Sequence, residues 1–451
     1  MLTSLAFQNF KSWETLPEMT LAPITGLFGA NSSGKTSILQ LLLMLKQTAA
    51  SPDRKQVLDL GDERSLVSLG TFRDLVFGHD TDRKLSWSLS WQLPEALTVQ
   101  DPETQVPLFS DTRLSFEACV AQHGSGELYV EEMAYRFAGH KFAMMPGEKG
   151  GTYNLETDPA FQPKRPRGRP VTMPPPTKCY GFPDAVRAYY LNMEFLADFE
   201  LEFERLFNSI YYLGPLRDSP KREYRWAGAQ PTDVGPRGEH AVEALLAARD
   251  RGSKISPARR RKGIAIDTYI ARRLQNMGLI HSFTVQPIAE GSNLYQVRVQ
   301  TDASGTQVLL TDVGFGVSQV LPALVLCYYV PKGSIVILEQ PEIHLHPAVQ
   351  ADLADLFIDA VKARQIQIII ESHSEHLLLR LQRRIAEGKL NSNQVSLYFC
   401  DFQSGASRLM PLKLDLFGGI ENWPDRFFGD TFEETVARTK AVMRRQNREV
   451  A

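Results

Sequence analysis

The chain has 451 residues, 43% hydrophobic and 23% charged, a size that accommodates two to three structural units with a substantial core. Fifty Lys and Arg against 52 Asp and Glu leave a formal charge of -2, which excludes a surface that is polycationic throughout, so any nucleic-acid contact must be local. Four scattered cysteines, Cys119, Cys179, Cys327 and Cys400, together with nine histidines, fit neither a disulfide framework nor a zinc knuckle and point to a reducing compartment.

The longest apolar run, around Val320 to Val330, is shorter than the roughly 18 to 20 residues of a membrane span and is interrupted by Pro322. The opening MLTSLAFQNFKSWE lacks a basic region followed by an apolar block, so no signal peptide is read. A cytoplasmic protein without a membrane partner is expected.

Residues 3–9 and 19–28 run apolar or alternate with β-formers, and the second run ends at Gly29 before the helix-like LLLMLK. This predicts a strand, a loop and a helix. From about Leu85 to Tyr153 the runs LSWSLSW, RLSFEACV, ELYVEEMAYRF and HKFAMM are separated by Pro, Gly and Asp, the pattern of an antiparallel meander. Residues 157–183 carry many prolines and a basic cluster, and read as an exposed loop. Helical periodicity at 185–207 and 239–277, around the turn-rich LGPLRDSPKREYRWAG, predicts a helical insertion. Strand patterning returns at Leu294 to Leu310. Beyond Thr311 strands and helices alternate: IVILE, a helix from Pro347 to Ala363, IQIII, a helix from Glu375 to Ile385, then VSLYF. Such alternation predicts a mostly parallel sheet covered by helices. The chain has no internal repeats.

Gly29-Ala30-Asn31-Ser32-Ser33-Gly34-Lys35-Thr36 matches G-x-x-x-x-G-K-[ST] in full, between an apolar strand and the apolar helix opened by Ser37. Glycines let the backbone wrap so that successive N–H groups and the helix N-terminus face the β- and γ-phosphates of a nucleotide. Lys35 adds a point charge, and the Thr36 hydroxyl can ligate Mg2+. The strand ending in Glu339-Gln340-Pro341-Glu342 is suited to carry a carboxylate to that metal, with Glu339 the candidate. Gly314-Phe315-Gly316-Val317-Ser318-Gln319 is a Gly-rich turn opening an apolar helix, and serves equally as a second phosphate contact or a plain helix cap. A further buried strand ends in Glu371-Ser372-His373-Ser374, placing His373 at the carboxyl edge of a sheet, where ligands bind.

Taken together, LAFQNFKSWETL, GANSSGKT, GFGVSQ, EQPEIHLHP and ESHSEHLL resemble the ABC-type ATPases of the SMC, RecF and OLD group, across about the first 80 and last 150 residues. YYLGPLR matches more loosely. The resemblance implies an α/β P-loop NTPase fold, an ABC-type ATPase head with an antiparallel β subdomain and a helical insertion. The implied units are 1–90, the N-terminal half of the head with the P-loop; 91–184, the meander and Pro/Arg-rich loop; 185–300, the insertion; 301–415, the C-terminal half; and 416–451, a tail helix.

It further implies a homodimer, or a higher oligomer of dimers, that holds ATP and Mg2+ between two heads. Asn31, Ser32, Ser33, Gly34, Lys35, Thr36 and Ser37 would bind nucleotide in one copy. Ser318, with Gly316 as the alternative and Gln319 beside it, would touch the γ-phosphate from the other. Thr36 and Glu339 would hold the metal, His373 would be the switch histidine, and Asn9 to Ser12 would lie beside the adenine. One departure matters. The family places two acidic residues at the end of the metal-binding strand, the second orienting the attacking water; here the second is Gln340, whose amide cannot accept a proton. Hydrolysis to ADP and phosphate is therefore expected to be slow, or Glu342 serves as the base. No DxD cluster follows His373, so the Toprim nuclease of OLD proteins is not expected.

Arg165-Pro166-Arg167-Gly168-Arg169-Pro170 resembles an AT-hook core: prolines keep the chain extended, and Arg165, Arg167 and Arg169 could lie along a narrow A·T-rich minor groove. A solvated basic loop fits the same residues. The run 259–262 offers a second basic stretch with the same two readings. The expected function is an ATP-dependent switch that controls engagement of DNA, or of a separately encoded nuclease or toxin, in bacterial genome defence or DNA repair. The rival is a non-hydrolysing nucleotide-gated scaffold that restrains such a partner. An ABC transporter head is disfavoured by the long middle of the chain.

Overall fold

The computed structural model describes residues 1–148, 150–165, 173–256 and 263–424. Arg167, Arg169, the basic run 259–262 and the chain beyond 424 lie outside the described residues.

In chain order, strands β1 (Leu2–Phe10), β2 (Trp13–Thr20) and β3 (Ile24–Gly29) lead into helix α1 (Lys35–Ala50) and the short α2 (Phe72–Leu75). Five strands follow: β4 (Leu85–Gln100), β5 (Pro107–Gln122), β6 (Leu128–Phe137), β7 (His140–Pro146) and β8 (Tyr153–Thr157). Next come α3 (Asp184–Tyr189), α4 (Leu196–Asn208), β9 (Ile210–Leu213), β10 (Tyr224–Arg225), α5 (Ala241–Asp250), β11 (Lys254–Ile255), β12 (Ile264–Ala265) and α6 (Ile266–Asn276). The last third holds β13 (Ser282–Pro287), β14 (Leu294–Gln300), β15 (Val308–Leu309), α7 (Phe315–Tyr329), β16 (Ile335–Glu339), α8 (Pro347–Arg364), β17 (Gln367–Glu371), α9 (Glu375–Ala386), β18 (Val395–Gln403) and β19 (Ala406–Pro411).

Two large sheets organise these elements. The meander strands join the start of the chain in one antiparallel sheet, order β2-β1-β4-β5-β6-β7-β8. Alternation explains its sidedness: along β4, Leu85, Trp87, Leu89, Trp91 and Leu93 are buried, while the residues between them are more exposed. On that buried face α4 lays an aromatic stripe, with Phe203 4.9 Å from Phe116 and Phe199 5.2 Å from Phe137 between ring centroids. The other sheet runs β19-β18-β3-β17-β16-β9, parallel except for β19. Its central strands read ITGLFG, QIIIE and IVILE without alternation because both faces are covered. One face meets α1 and the antiparallel sheet, and the other meets α5, α7, α8 and α9. Buried between two sheets, α1 is apolar nearly all round, from Ile38 through Leu45. Each such Leu side chain contributes about 1.5–3 kcal/mol by leaving water.

Three local details differ from the sequence reading. The run 19–28 is two strands, because Pro23, without an N–H, sits between the end of β2 and the start of β3. β9 falls between the two helical runs of the expected insertion 185–300 and is the edge strand next to β16; four residues are too few for a periodic signal. β13 pairs with β14 in a small sheet that also holds β10 and β15. Among the described residues no helix is long and apolar enough to cross a membrane.

Candidate nucleotide site

The carboxyl ends of β3, β17 and β16 finish side by side, with β17 between the other two; Glu371 is in register with Leu27 on one side and with Glu339 on the other. A cleft of about 210 Å³ opens there, lined by Ser12, Asn31 through Ser37, Gln340, Glu371 and His373. All seven sequence-predicted P-loop residues, with Gln340 and His373, are therefore brought together.

The loop's shape depends on its glycines. Gly29 (φ 139°) passes so close to β18 that a Cβ would lie 2.1 Å from the Cys400 carbonyl oxygen. Gly34 (φ 90°) would place one 2.4 Å from Ser407 Oγ and 2.6 Å from Trp13 Nε1. Both backbone angles belong to the left-handed region that glycine alone occupies readily. Trp13 Nε1 donates to the Gly34 carbonyl at 2.9 Å, and the Ser407 hydroxyl donates to Ser12 Oγ at 2.7 Å. Thus the β1–β2 turn and β19 clamp the point where α1 begins.

Lys35 folds back over the loop, its Nζ donating to the carbonyls of Ala30 at 2.6 Å and Gly29 at 3.1 Å. Burial lowers its pKa, opposed by the nearby Glu371 carboxylate. The Thr36 hydroxyl donates to Glu371 Oε2 at 2.8 Å. Burial raises the pKa of Glu371 and lifts that of Glu339 to about 7, with the Glu371 charge adding to the second shift. Burial and then Lys35 lower that of His373, favouring the neutral imidazole.

Glu339 and Glu342 sit outside the lining. The Tyr212 hydroxyl donates to Glu339 Oε1 at 3.1 Å. Glu342 Oε1 accepts the His373 backbone N–H at 2.6 Å, so this carboxylate braces the segment after β17 from behind, while Oε2 has no hydrogen-bond partner among the described residues. Gln340 has φ 43° and its N–H donates to the Glu371 carbonyl at 2.8 Å, which fixes the turn after β16. Sequence reasoning missed three contributors. Glu371 closed a recognisable strand, but only His373 was singled out from it. Tyr212 and Arg217 come from β9 and the turn after it. Arg217 Nη2 donates to the Glu339 carbonyl at 3.4 Å, whereas its buried Nε and Nη1 have no hydrogen-bond partner among the described residues, and burial pulls its pKa down to about 10.

The donor set fits a hard divalent cation. A hydroxyl and carboxylates are oxygen ligands of the kind Mg2+ takes, and neither Glu339 nor Glu371 forms an ion pair among the described residues.

The glycine-rich turn lies elsewhere. Ser318 and Gln319 are each only 7% exposed, and Ser318 lines a separate small cleft with Asp218, Tyr224, Gly238, Leu310 and Pro322. Because Ser318 sits one turn into α7, it faces the interior of its own chain; Gly314 is exposed and Gly316 is half-buried. Arg165 is exposed, with its guanidinium 5.4 Å from the centre of the Tyr190 ring.

Residues 191–380 match the family model described as "AAA domain, putative AbiEii toxin, Type IV TA system", and residues 390–437 match "Protein of unknown function (DUF3696)". No curated protein matches. Among solved structures, the chain is similar to an Smc head bound to the C-winged helix domain of ScpA, at 10% identity and TM-score 0.46, over 92% of this chain and 98% of that one. It is also similar to the SMC head domain from Thermotoga maritima (12%, TM-score 0.38, 91% and 99%). A third is the Smc head domain with an extended coiled coil bound to the C-terminal domain of ScpA from Pyrococcus furiosus (12%, TM-score 0.42, 92% and 96%). The phosphate loop at 29–36, the parallel sheet behind it and the match of residues 191–380 to an AAA-domain model are together the features of a P-loop nucleotide-binding domain.

Proposed function

We propose that the chain binds ATP with Mg2+ in the P-loop cleft, closes on a second copy around it, hydrolyses it slowly, and so switches engagement of DNA or of a separate effector. The observation that carries this reading is Lys35. A buried ammonium held, among the described residues, by loop carbonyls and Ser33, above an exposed Asn31-Ser32 rim and a helix N-terminus, is arranged to exchange those contacts for phosphate oxygens.

On binding, backbone N–H groups of the loop and of the first turn of α1 would take the β- and γ-phosphates, and Lys35 would turn from the Ala30 and Gly29 carbonyls toward them. Thr36 and a strand-end carboxylate would hold Mg2+, which when bound neutralises phosphate charge. Gln340, at the cleft wall, would orient the attacking water through its amide, and His373 would hydrogen-bond the γ-phosphate. With Glu342 turned to the His373 amide and no carboxylate at position 340, transfer of the water proton is the weak step, so turnover is slow.

Dimerisation would complete the site. The N-terminus of α7, at Gly314 and Gly316, has no side-chain cap among the described residues, and a second copy could bring its first-turn N–H groups to the γ-phosphate. Ser318 would join only if that first turn moved. The exposed Arg165, with Arg167 and Arg169, supports a local DNA contact. The wording of the matched family's description, a putative toxin of a toxin–antitoxin system, supports a role tied to an effector or to defence.

The test is ATP binding and phosphate release by wild type and Lys35→Ala. Binding and turnover in wild type, both lost in the variant, are expected; a variant indistinguishable from wild type contradicts the reading. Gln340 favours a second reading, a nucleotide-gated scaffold that does not hydrolyse. ATP binding without any steady-state phosphate release would select it.

A further inference from the structure

Two carboxylates compete for the metal position in this cleft, and the geometry separates them. Glu339 ends the strand expected to carry the metal ligand, yet its Oε1 accepts the Tyr212 hydroxyl, its carbonyl accepts Arg217, and its side chain does not line the cleft. Glu371, one strand nearer the P-loop, lines the cleft and accepts the hydroxyl of Thr36 at 2.8 Å. Strand order is the reason: β17 lies between β3 and β16, so its end is adjacent to the loop that Thr36 follows, whereas β16 is one strand further away. The main-chain bond from Gln340 N–H to the Glu371 carbonyl fixes the two strand ends in this order.

We propose that Glu371, rather than Glu339, is the carboxylate that meets the divalent cation beside Thr36. The assignment rests on the ATP reading above. In the nucleotide-free chain the Thr36 hydroxyl occupies the oxygen that the cation takes, and Glu339 stands behind as a support that hydrogen-bonds through Tyr212. It also explains how a chain with Gln340 in the second acidic position keeps a carboxylate at the cleft wall: the neighbouring strand supplies it.

Mn2+ is the probe, with the β,γ-imido analogue of ATP, and free Mn2+ is read by electron paramagnetic resonance. Glu371→Gln is expected to weaken Mn2+ binding in the presence of the analogue by roughly tenfold or more, while Glu339→Gln stays within about threefold of wild type. In EDTA, Glu371→Gln is expected to bind the analogue as well as wild type or better, because a negative charge has been removed from beside the phosphates. Should that variant fail to fold, Glu371→Asp, which withdraws the carboxylate by one methylene, is expected to lose about fivefold or more in Mn2+ affinity. Equal loss in the Glu339 and Glu371 variants, or loss in Glu339→Gln alone, overturns the assignment and leaves ATP binding intact. A wild-type chain that takes up neither the analogue nor Mn2+ with it overturns the ATP reading as well.

Discussion

Thr36 and Glu371 are joined by a 2.8 Å hydrogen bond that ties the first turn of α1 to the end of β17. Glu371 is 2% exposed, so removing its donor leaves a buried carboxylate oxygen without one. Thr36→Ala is expected to cost the nucleotide-free chain about 1–2 kcal/mol, and Thr36→Ser to restore most of it. Urea unfolding of the two variants measures this; equal stabilities would mean that the bond contributes nothing.

Gly34→Ala probes the shape of the loop. The positive φ and the 2.4 Å approach to Ser407 Oγ oppose any side chain there. A loss of about 1–3 kcal/mol in stability is expected, with loss of ATP binding by isothermal titration. Wild-type affinity in this variant would show that the observed loop geometry is not the one that binds nucleotide.

Gln340→Glu tests whether the missing acidic group limits turnover. If water is handled at this position, the variant releases phosphate roughly tenfold faster or more, since a carboxylate can accept the proton. Unchanged turnover would place the limiting step elsewhere.

Glu200, on α4, predicts a pH effect remote from the cleft. Burial lifts its pKa from 4.5 to about 7, opposed by the hydrogen bond it accepts from the Phe182 N–H at 2.8 Å. The folded chain favours the protonated carboxyl, so its contribution is fully present below pH 4.5 and is lost as the pH rises through about 7. Relative to Glu200→Gln, which keeps an acceptor for Phe182, wild type is expected to lose roughly 1–3 kcal/mol over that interval. Denaturant midpoints of both proteins at pH 4.5 and 7.5 check it, and parallel pH profiles would refute it.

What the sequence made legible was contiguous. The P-loop is eight successive residues between a strand and a helix, and its chemistry needs no distant partner to be recognised. The meander was readable because alternating burial leaves a period-two trace, and the parallel core because doubly covered strands are uninterrupted runs of Ile, Val and Leu. The rest depends on neighbours far apart in the chain. That Glu371 rather than Glu339 faces Thr36 follows from β17 lying between β3 and β16, a matter of strand order. Tyr212 and Arg217 reach the site because four residues of β9 pair with β16, too short a segment to announce itself. Ser318 is turned inward by its position one turn along α7, against the interior of its own chain, which a motif of small residues does not reveal.

Joint closure of two copies on ATP is read from molar mass by light scattering, with and without Mg2+ and ATP. Nucleotide is expected at least to double the mass, or to compact a dimer that already exists, and Lys35→Ala to abolish the change. A monomer whose mass and dimensions are the same with saturating ATP as without it would exclude joint closure.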